Sequence, residues 1–216
     1  MVTMEKGKSD EKLLVSKATY LEAGVHIGTK FKMPGMKKFI FSTRKDGINI
    51  LSIEEIDKRI RLAAKLISNY KPEEILVTAS RIYAITPAEK FAEVVGCKIV
   101  KGRFIPGTLT DPNNKNFVEP KLIIVSNPRN EKQAIKEAGL MNIPVIALCD
   151  TDNTAQFVDF IIPVNNKGRA SLALVYFLLA REVLKERKVI KDDSEFKYSV
   201  EDFTTKLQVE KESAIS

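Results

Sequence analysis

A chain of 216 residues, 44% of them hydrophobic and 29% charged, is long enough for one well-filled core and too apolar to remain disordered. Its longest apolar run, Ala170 to Ala180 between Arg169 and Arg181, falls far short of the roughly 20 residues that a membrane span requires, so it reads as a buried helix. A formal charge of +7 and a pI near 9.3 call for an anionic partner: nucleic acid, an acidic membrane surface or an acidic protein.

The opening residues MVTMEKGKSDEK mix acids with lysines and have no apolar stretch behind them, unlike a secretory signal. An amphipathic helix is predicted from about Glu11 to Ala23, ending at Gly24. After a basic loop, FIFSTRKDGINIL reads as a hairpin with strands at Phe39–Ser42 and Ile48–Leu51 around Lys45-Asp46-Gly47, since Asp-Gly is a favoured turn pair. Ser52, with Glu55 three residues on, opens a helix that puts Ile53, Ile56, Ile60, Ala63, Ala64 and Ile67 on one face.

From Glu74 the pattern alternates. EILVTAS is a continuous apolar strand, and TPAEKFAEVVG a helix with Thr86 as cap, Pro87 at its first position and Gly96 past its end. CKIV is a second strand, KGRFIPGTLTDPNNKNFVEP a long loop and KLIIVS a third strand. NEKQAIKEAG is a helix terminated by Gly139. PVIALCD and DFIIPV are further strands, and GRASLALVYFLLAREVLKER the closing helix. Unbroken Ile/Val/Leu strands between helices predict an α/β fold: a mostly parallel, five-stranded, doubly wound sheet covered on both faces. Residues 1–190 form one domain in this reading. Residues 191–216, with four lysines against seven acids, form an acidic tail that is mobile or dependent on a partner. Cys97 and Cys149, far apart in sequence, are expected to be free thiols in a reducing, cytoplasmic setting.

Doubly wound sheets bind ligands beyond the carboxyl ends of their strands. The loop after the first strand has neither Gly-x-Gly-x-x-Gly nor a Walker-type Gly-Lys-Ser/Thr, so the phosphate-cradling glycines are missing. SNPRNEK reads as a helix cap. Asp150, Asp152 and Asp159 in CDTDNTAQFVD offer carboxylates for Mg²⁺ or general-base work, but Asp, Asn and Thr are also what a strand-to-turn connection prefers. The lone histidine, His26, rules out a His-based metal cluster, and no Gly-x-Ser-x-Gly elbow is present to use it in a triad. No metal, cofactor or catalytic residue is expected.

The stretch AGVHIGTKFKMPGMKKFIFSTRKDG is different. Between His26 and Lys45 it carries Lys30, Lys32, Lys37, Lys38, Arg44 and Lys45 and no acid. Phe31, Met33, Met36, Phe39 and Phe41 are interleaved with these cations, and Gly28, Pro34 and Gly35 fix its turns. Arg81, Lys98, Lys101, Arg103, Lys167 and Arg169 add charge in other loops. Lysine and arginine on phosphates give salt-sensitive, largely sequence-independent affinity, and a helix N-terminus at Gly168-Arg169 adds backbone donors. Cations in turn-rich loops, rather than along an amphipathic helix, favour nucleic acid over a membrane, and folded RNA over duplex DNA.

Four ordered segments, YLEAGVHIGTKFKMPGMKKFIF, RFIPGTLTDP, IPVIALCDTDNTAQFVDFIIPVNNKG and ASLALVYFLLAREVL, together resemble the second small-subunit ribosomal protein family over about Leu13 to Arg187. The form GRFIPGTLTDP is similar to the archaeal and eukaryotic branch, which includes the laminin-receptor-like ribosomal protein. The short tail and the lack of room for the bacterial helical hairpin make the chain archaeal in type. The resemblance implies a flavodoxin-like three-layer α/β/α fold without catalytic activity. It implies a structural constituent of the small ribosomal subunit, binding its rRNA beside neighbouring ribosomal proteins in the cytoplasm, with no membrane or small-molecule substrate. It places Gly24, His26 and Gly28 in the motif AGVHIG, which shapes an RNA-facing loop, with phosphate contacts assigned to the cations named above. The competing reading is a small-molecule or nucleotide-binding α/β enzyme that uses Asp150 or Asp152 at the sheet's carboxyl edge.

Overall fold

The computed structural model describes residues 13–205. Helix α1 (Lys17–Glu22) leads through the basic stretch into an antiparallel hairpin, β1 (Ile40–Thr43) and β2 (Asn49–Leu51), and then into α2 (Ile53–Ser68). The remaining elements alternate: β3 (Ile75–Ala79), α3 (Ile82–Val95), β4 (Lys98–Lys101), β5 (Leu122–Val125), α4 (Lys132–Leu140), β6 (Val145–Cys149), β7 (Phe160–Pro163) and α5 (Arg169–Glu186). All five strands from β3 onward are parallel, in the order β4-β3-β5-β6-β7. Every residue of β3, β5 and β6 is buried, which is why these strands read as unbroken apolar runs. The chain crosses leftward through α3 and rightward through α4, so right-handed crossovers put these helices on opposite faces. Helix α5 packs between α2 and α3 and is buried along Ser171–Tyr176 and Leu178–Val183. Among the described residues no helix is long and apolar enough to cross a membrane.

Ser52 caps α2 by accepting from Glu55 N–H at 3.4 Å, and the six apolar residues assigned to its inner face are all buried. Three boundaries differ from the sequence expectation. Helix α1 starts at Lys17, capped by Ser16 Oγ accepting from Thr19 N–H at 3.2 Å, because Asp57 of α2 takes the Leu14 N–H (2.8 Å) and pulls Leu13–Val15 out of helical geometry. Glu11 and Lys12, also assigned to that helix, lie outside the described residues. Helix α3 starts at Ile82 rather than after Thr86, so Pro87 sits in its second turn. The N–H that proline lacks would have bonded to Tyr83 O, and the Thr205 hydroxyl donates there instead, at 3.4 Å. Helix α4 passes through Gly139 to Leu140 and turns at Asn142, whose φ of 54° is one that asparagine tolerates.

The first half of the expected loose tail is docked. Short 3₁₀ turns at Asp193–Glu195 and Val200–Phe203 carry Phe196 and Phe203 onto α5, where both meet Phe177 edge-on at centroid distances of 5.3 and 5.9 Å. Arg181 Nε pairs with Asp193 at 2.9 Å. The remainder of that tail, residues 206–216, lies outside the described residues. Removing the buried ring in Phe203→Ala should free the segment without opening the main core. Tryptic cutting at Lys191 and Lys197 is expected to accelerate about tenfold while the unfolding temperature of the sheet moves by only a few degrees.

Candidate nucleic-acid interface

Between β3 and β5 the strand order reverses, the place where doubly wound sheets offer a crevice to a ligand. Here the protein fills it with Glu131. One carboxylate oxygen accepts from Ser80 N–H and Ser80 Oγ, each at 3.0 Å; the other accepts from Ser126 N–H at 3.0 Å and Thr78 Oγ1 at 2.7 Å. Ser126 Oγ donates onward to Thr78 O at 2.6 Å and lies 2.6 Å from Tyr176 Oη. Burial pushes the Glu131 carboxyl up to about 7, against the pull of these hydrogen bonds. The side chain occupies from within the position an anion would take from outside.

The carboxylates after β6 are also engaged. Lys167 Nζ bridges Asp150 (3.0 Å) and Asp152 (2.7 Å), and Arg129 reaches Asp152 at 3.4 Å. An ammonium group therefore stands where the enzyme reading wanted a divalent cation. Burial raises the Asp150 carboxyl, and Lys167 opposes that shift. Asp159, just before β7, accepts from Val145 N–H at the start of β6 at 2.8 Å, which places it at the opposite end of the sheet. Among the described residues no group of three or more His, Cys, Asp or Glu is placed to hold a metal. Both cysteines are free; burial pushes the Cys97 thiol up to about 12 and raises that of Cys149, so neither is poised to react.

The motif AGVHIG roofs the ends of β6 and β7. Asn165, just past β7, donates from its backbone to Val25 O at 2.9 Å and from Nδ2 to Gly24 O at 3.1 Å. Gly24 turns at a φ of 67° that favours glycine. Thr151, just past β6, accepts Thr29 N–H at its hydroxyl and Met33 N–H at its carbonyl, both at 2.8 Å. Gly28 runs so close that a Cβ would stand 2.5 Å from Thr151 Cγ2 and 2.9 Å from Asn49 O. Pro34 opens a 3₁₀ turn to Phe39, and Gly35 passes Ala155 with 3.1 Å between its would-be Cβ and the alanine methyl.

That turn spreads the interleaved apolar residues between core and solvent, with Met33 half-buried. Met36 and Phe39 enter the core, whereas Phe31 and Phe41 remain 75% and 79% exposed. Lys30, Lys32, Lys37, Lys38, Arg44 and Lys45 are all exposed, and no carboxylate among the described residues pairs with them. Lys98 opens β4 and so lies at the opposite end of the sheet, but the other candidate cations share one edge with this stretch, because parallel strands all end on the same side. Arg81 follows β3, Lys101 ends β4, Arg103 follows it, and Lys167 and Arg169 follow β7. Their states differ. Arg103 and Arg169 are exposed, Arg81 is half-buried with its Nε unpartnered, Lys101 pairs with Glu89, and Lys167 is committed to the two aspartates. His26 is only 7% exposed. Burial, and secondarily the nearby Arg44, hold its imidazole below the ordinary range against a bond to the Tyr20 backbone, so the ring is neutral at pH 7.

Sequence reasoning did not single out Glu131, Thr151 or Asn165, whose partners are distant along the chain. The only trace of them was their position just after strand ends, where doubly wound folds concentrate function.

The sequence profile of the family described as Ribosomal protein S2 matches residues 20–118 and 113–186. Relatives carrying the name small ribosomal subunit protein uS2 include that of Methanococcus maripaludis (strain C6), 48% identical over 198 residues, or 92% of this chain and 89% of the relative. The protein of that name from Saccharolobus solfataricus is 49% identical over 203 residues, 94% of this chain and 87% of its own. The one from Thermoplasma acidophilum is 48% identical over 198 residues, 92% of this chain and all of its own. With matches this extensive on a sheet whose carboxyl edge is closed and ringed with cations, the chain belongs to the ribosomal protein S2 family.

Proposed function

We propose that this protein works as a structural, non-catalytic component of the small ribosomal subunit in the cytoplasm, holding rRNA phosphates with the cations along the carboxyl edge of its sheet. The observation that carries this reading is the exposed run from Lys30 to Lys45: six cations without an internal counter-charge, on a stretch bolted to Thr151 and Asn165. Unneutralised like charges repel one another, and a polyanion relieves that repulsion while releasing its own counterions. Arg103 and Arg169 extend the same edge. Lys101 can exchange Glu89 for phosphate, since an exposed pair contributes little. Lys167 is instead part of the support, and His26 shapes the loop from its buried position. The surfaces away from this edge remain for neighbouring ribosomal proteins.

The test is binding of the full chain to small-subunit rRNA across a salt series. Each phosphate contact removed lowers the slope of log K against log salt by about one. Lys37→Ala with Lys38→Ala should therefore lower that slope by about two, weaken binding to a similar degree for unrelated RNA sequences, and leave the melting temperature unchanged. Wild-type binding that is insensitive to salt, or a double variant with the wild-type slope, defeats the assignment.

A further inference from the structure

Beside the basic stretch lies a cleft of about 190 Å³, lined by Lys17 and Leu21 of α1, His26, Phe41 of β1, Ile50 to Ile53, and Glu54. For scale, an apolar cavity of about 150 Å³ accommodates a benzene ring. Its walls are mainly apolar, and two of them face solvent: Phe41 at 79% exposure and Leu21 at 47%. A single exposed apolar residue needs no explanation. A flat ring over an apolar cleft, three residues from both Lys38 and Arg44, is another matter.

The second observation is His26. It is only 7% exposed, and its Nδ1 has no hydrogen-bond partner among the described residues. In the neutral tautomer protonated at Nε2, Nδ1 is an acceptor with nothing to accept from among the described residues. Leaving a buried acceptor unmatched is costly, and a ligand that supplies a proton recovers the loss. A backbone phosphodiester at neutral pH has no such proton to give, whereas a nucleobase offers an exocyclic amine or a ring N–H.

We propose that this cleft receives one unstacked nucleobase of the ribosomal RNA, its face on Phe41 and an N–H directed to His26 Nδ1. The inference rests on the reading that the neighbouring cations hold RNA phosphates. It adds a contact that distinguishes a splayed-out base from a paired one, and single-stranded positions are where proteins read RNA. Lys17 at the rim can meet the attached phosphate. Glu54 on the same rim can accept from a second amine hydrogen.

Base-on-aromatic stacking predicts a distinctive result for the exposed residue, whose replacement does not disturb the core. In salt-series titrations of the full chain with small-subunit rRNA, Phe41→Ala should weaken binding about tenfold with the salt slope unchanged, because a stacked base and no phosphate is lost. Phe41→Leu should fare nearly as badly, since it keeps apolar area but not a flat π face. Irradiation of the wild-type complex at short ultraviolet wavelength should cross-link RNA to the peptide containing Phe41. Both variants binding like the wild type would overturn the inference. So would that result together with loss of a neighbouring protein from assembled subunits, which would give the cleft to a protein side chain. Wild-type protein that fails to bind the RNA at all overturns the parent reading as well, and that control is measured first.

Discussion

Glu131→Ala is expected to destabilise the protein by about 4 kcal/mol, because it strips acceptors from the Ser80 and Ser126 N–H groups and from the Thr78 hydroxyl at the closed end of the sheet. Each buried donor left unmatched costs roughly 1–3 kcal/mol, so the sum is a large share of a typical folding free energy. Glu131→Gln should lose about half as much. An amide accepts with its oxygen alone, and its NH₂ end must face one of the two backbone N–H groups. The pH dependence has a defined sign. The folded pKa of about 7 lies above the ordinary carboxyl value, so the native state binds the proton more tightly than the unfolded chain. This contribution is fully present below the unfolded pKa and fades as pH rises through about 7. Urea unfolding of wild type and Glu131→Ala at pH 5 and pH 8 measures it: the gap between them should be wider at pH 5.

Gly28→Ala should damage the interface more than any single cation-to-alanine change. A methyl there meets Thr151 Cγ2 at 2.5 Å and the Asn49 carbonyl at 2.9 Å, so the segment leading into the basic stretch must lift off the end of β6. Overpacking of this kind costs about 1–3 kcal/mol. The displacement also breaks the bonds from Thr29 and Met33 to Thr151 that aim Lys30 to Lys38 outward. Affinity for small-subunit rRNA is expected to fall below that of the Lys37/Lys38 double variant, although no charge has changed. Adding Thr151→Ser removes Cγ2 while keeping the hydroxyl, and should restore part of both stability and binding. Only part returns, because the carbonyl contact remains. Gly35→Ala, which has 3.1 Å to a movable alanine methyl, should be mild.

How much of this was legible in the sequence depends on how far each partner lies along the chain. The parallel sheet announced itself because β3, β5 and β6 are buried at every residue and, Thr78 apart, apolar, and α2 because its six inner residues recur at helical spacing. The basic stretch was visible as composition alone. Glu131 was not: in SNPRNEK an acid beside a helix start looks like ordinary dipole complementation, and its partners Thr78 and Ser80 are 53 and 51 residues away. Asp57 was hidden in the same way. It lies on the buried side of α2, where Leu14 N–H and the Tyr20 hydroxyl reach it from 43 and 37 residues upstream. Pro87 misled in the opposite direction, because its preference for a first turn is local while the carbonyl it orphans is met by Thr205 from far downstream. Lys167 looked like any other loop cation until the fold set it between two aspartates. Phe196 and Phe203 escaped notice because turns, not a helix, bring both onto Phe177.

The fastening of Ala23 to Met33 onto strand ends has a thermodynamic corollary. A loop ordered by its own fold forfeits its conformational entropy when the chain folds, before any nucleic acid arrives. On the proposed rRNA-binding role, assembly would then draw little on this protein to freeze out motion, and the burden of rearrangement would fall on the RNA.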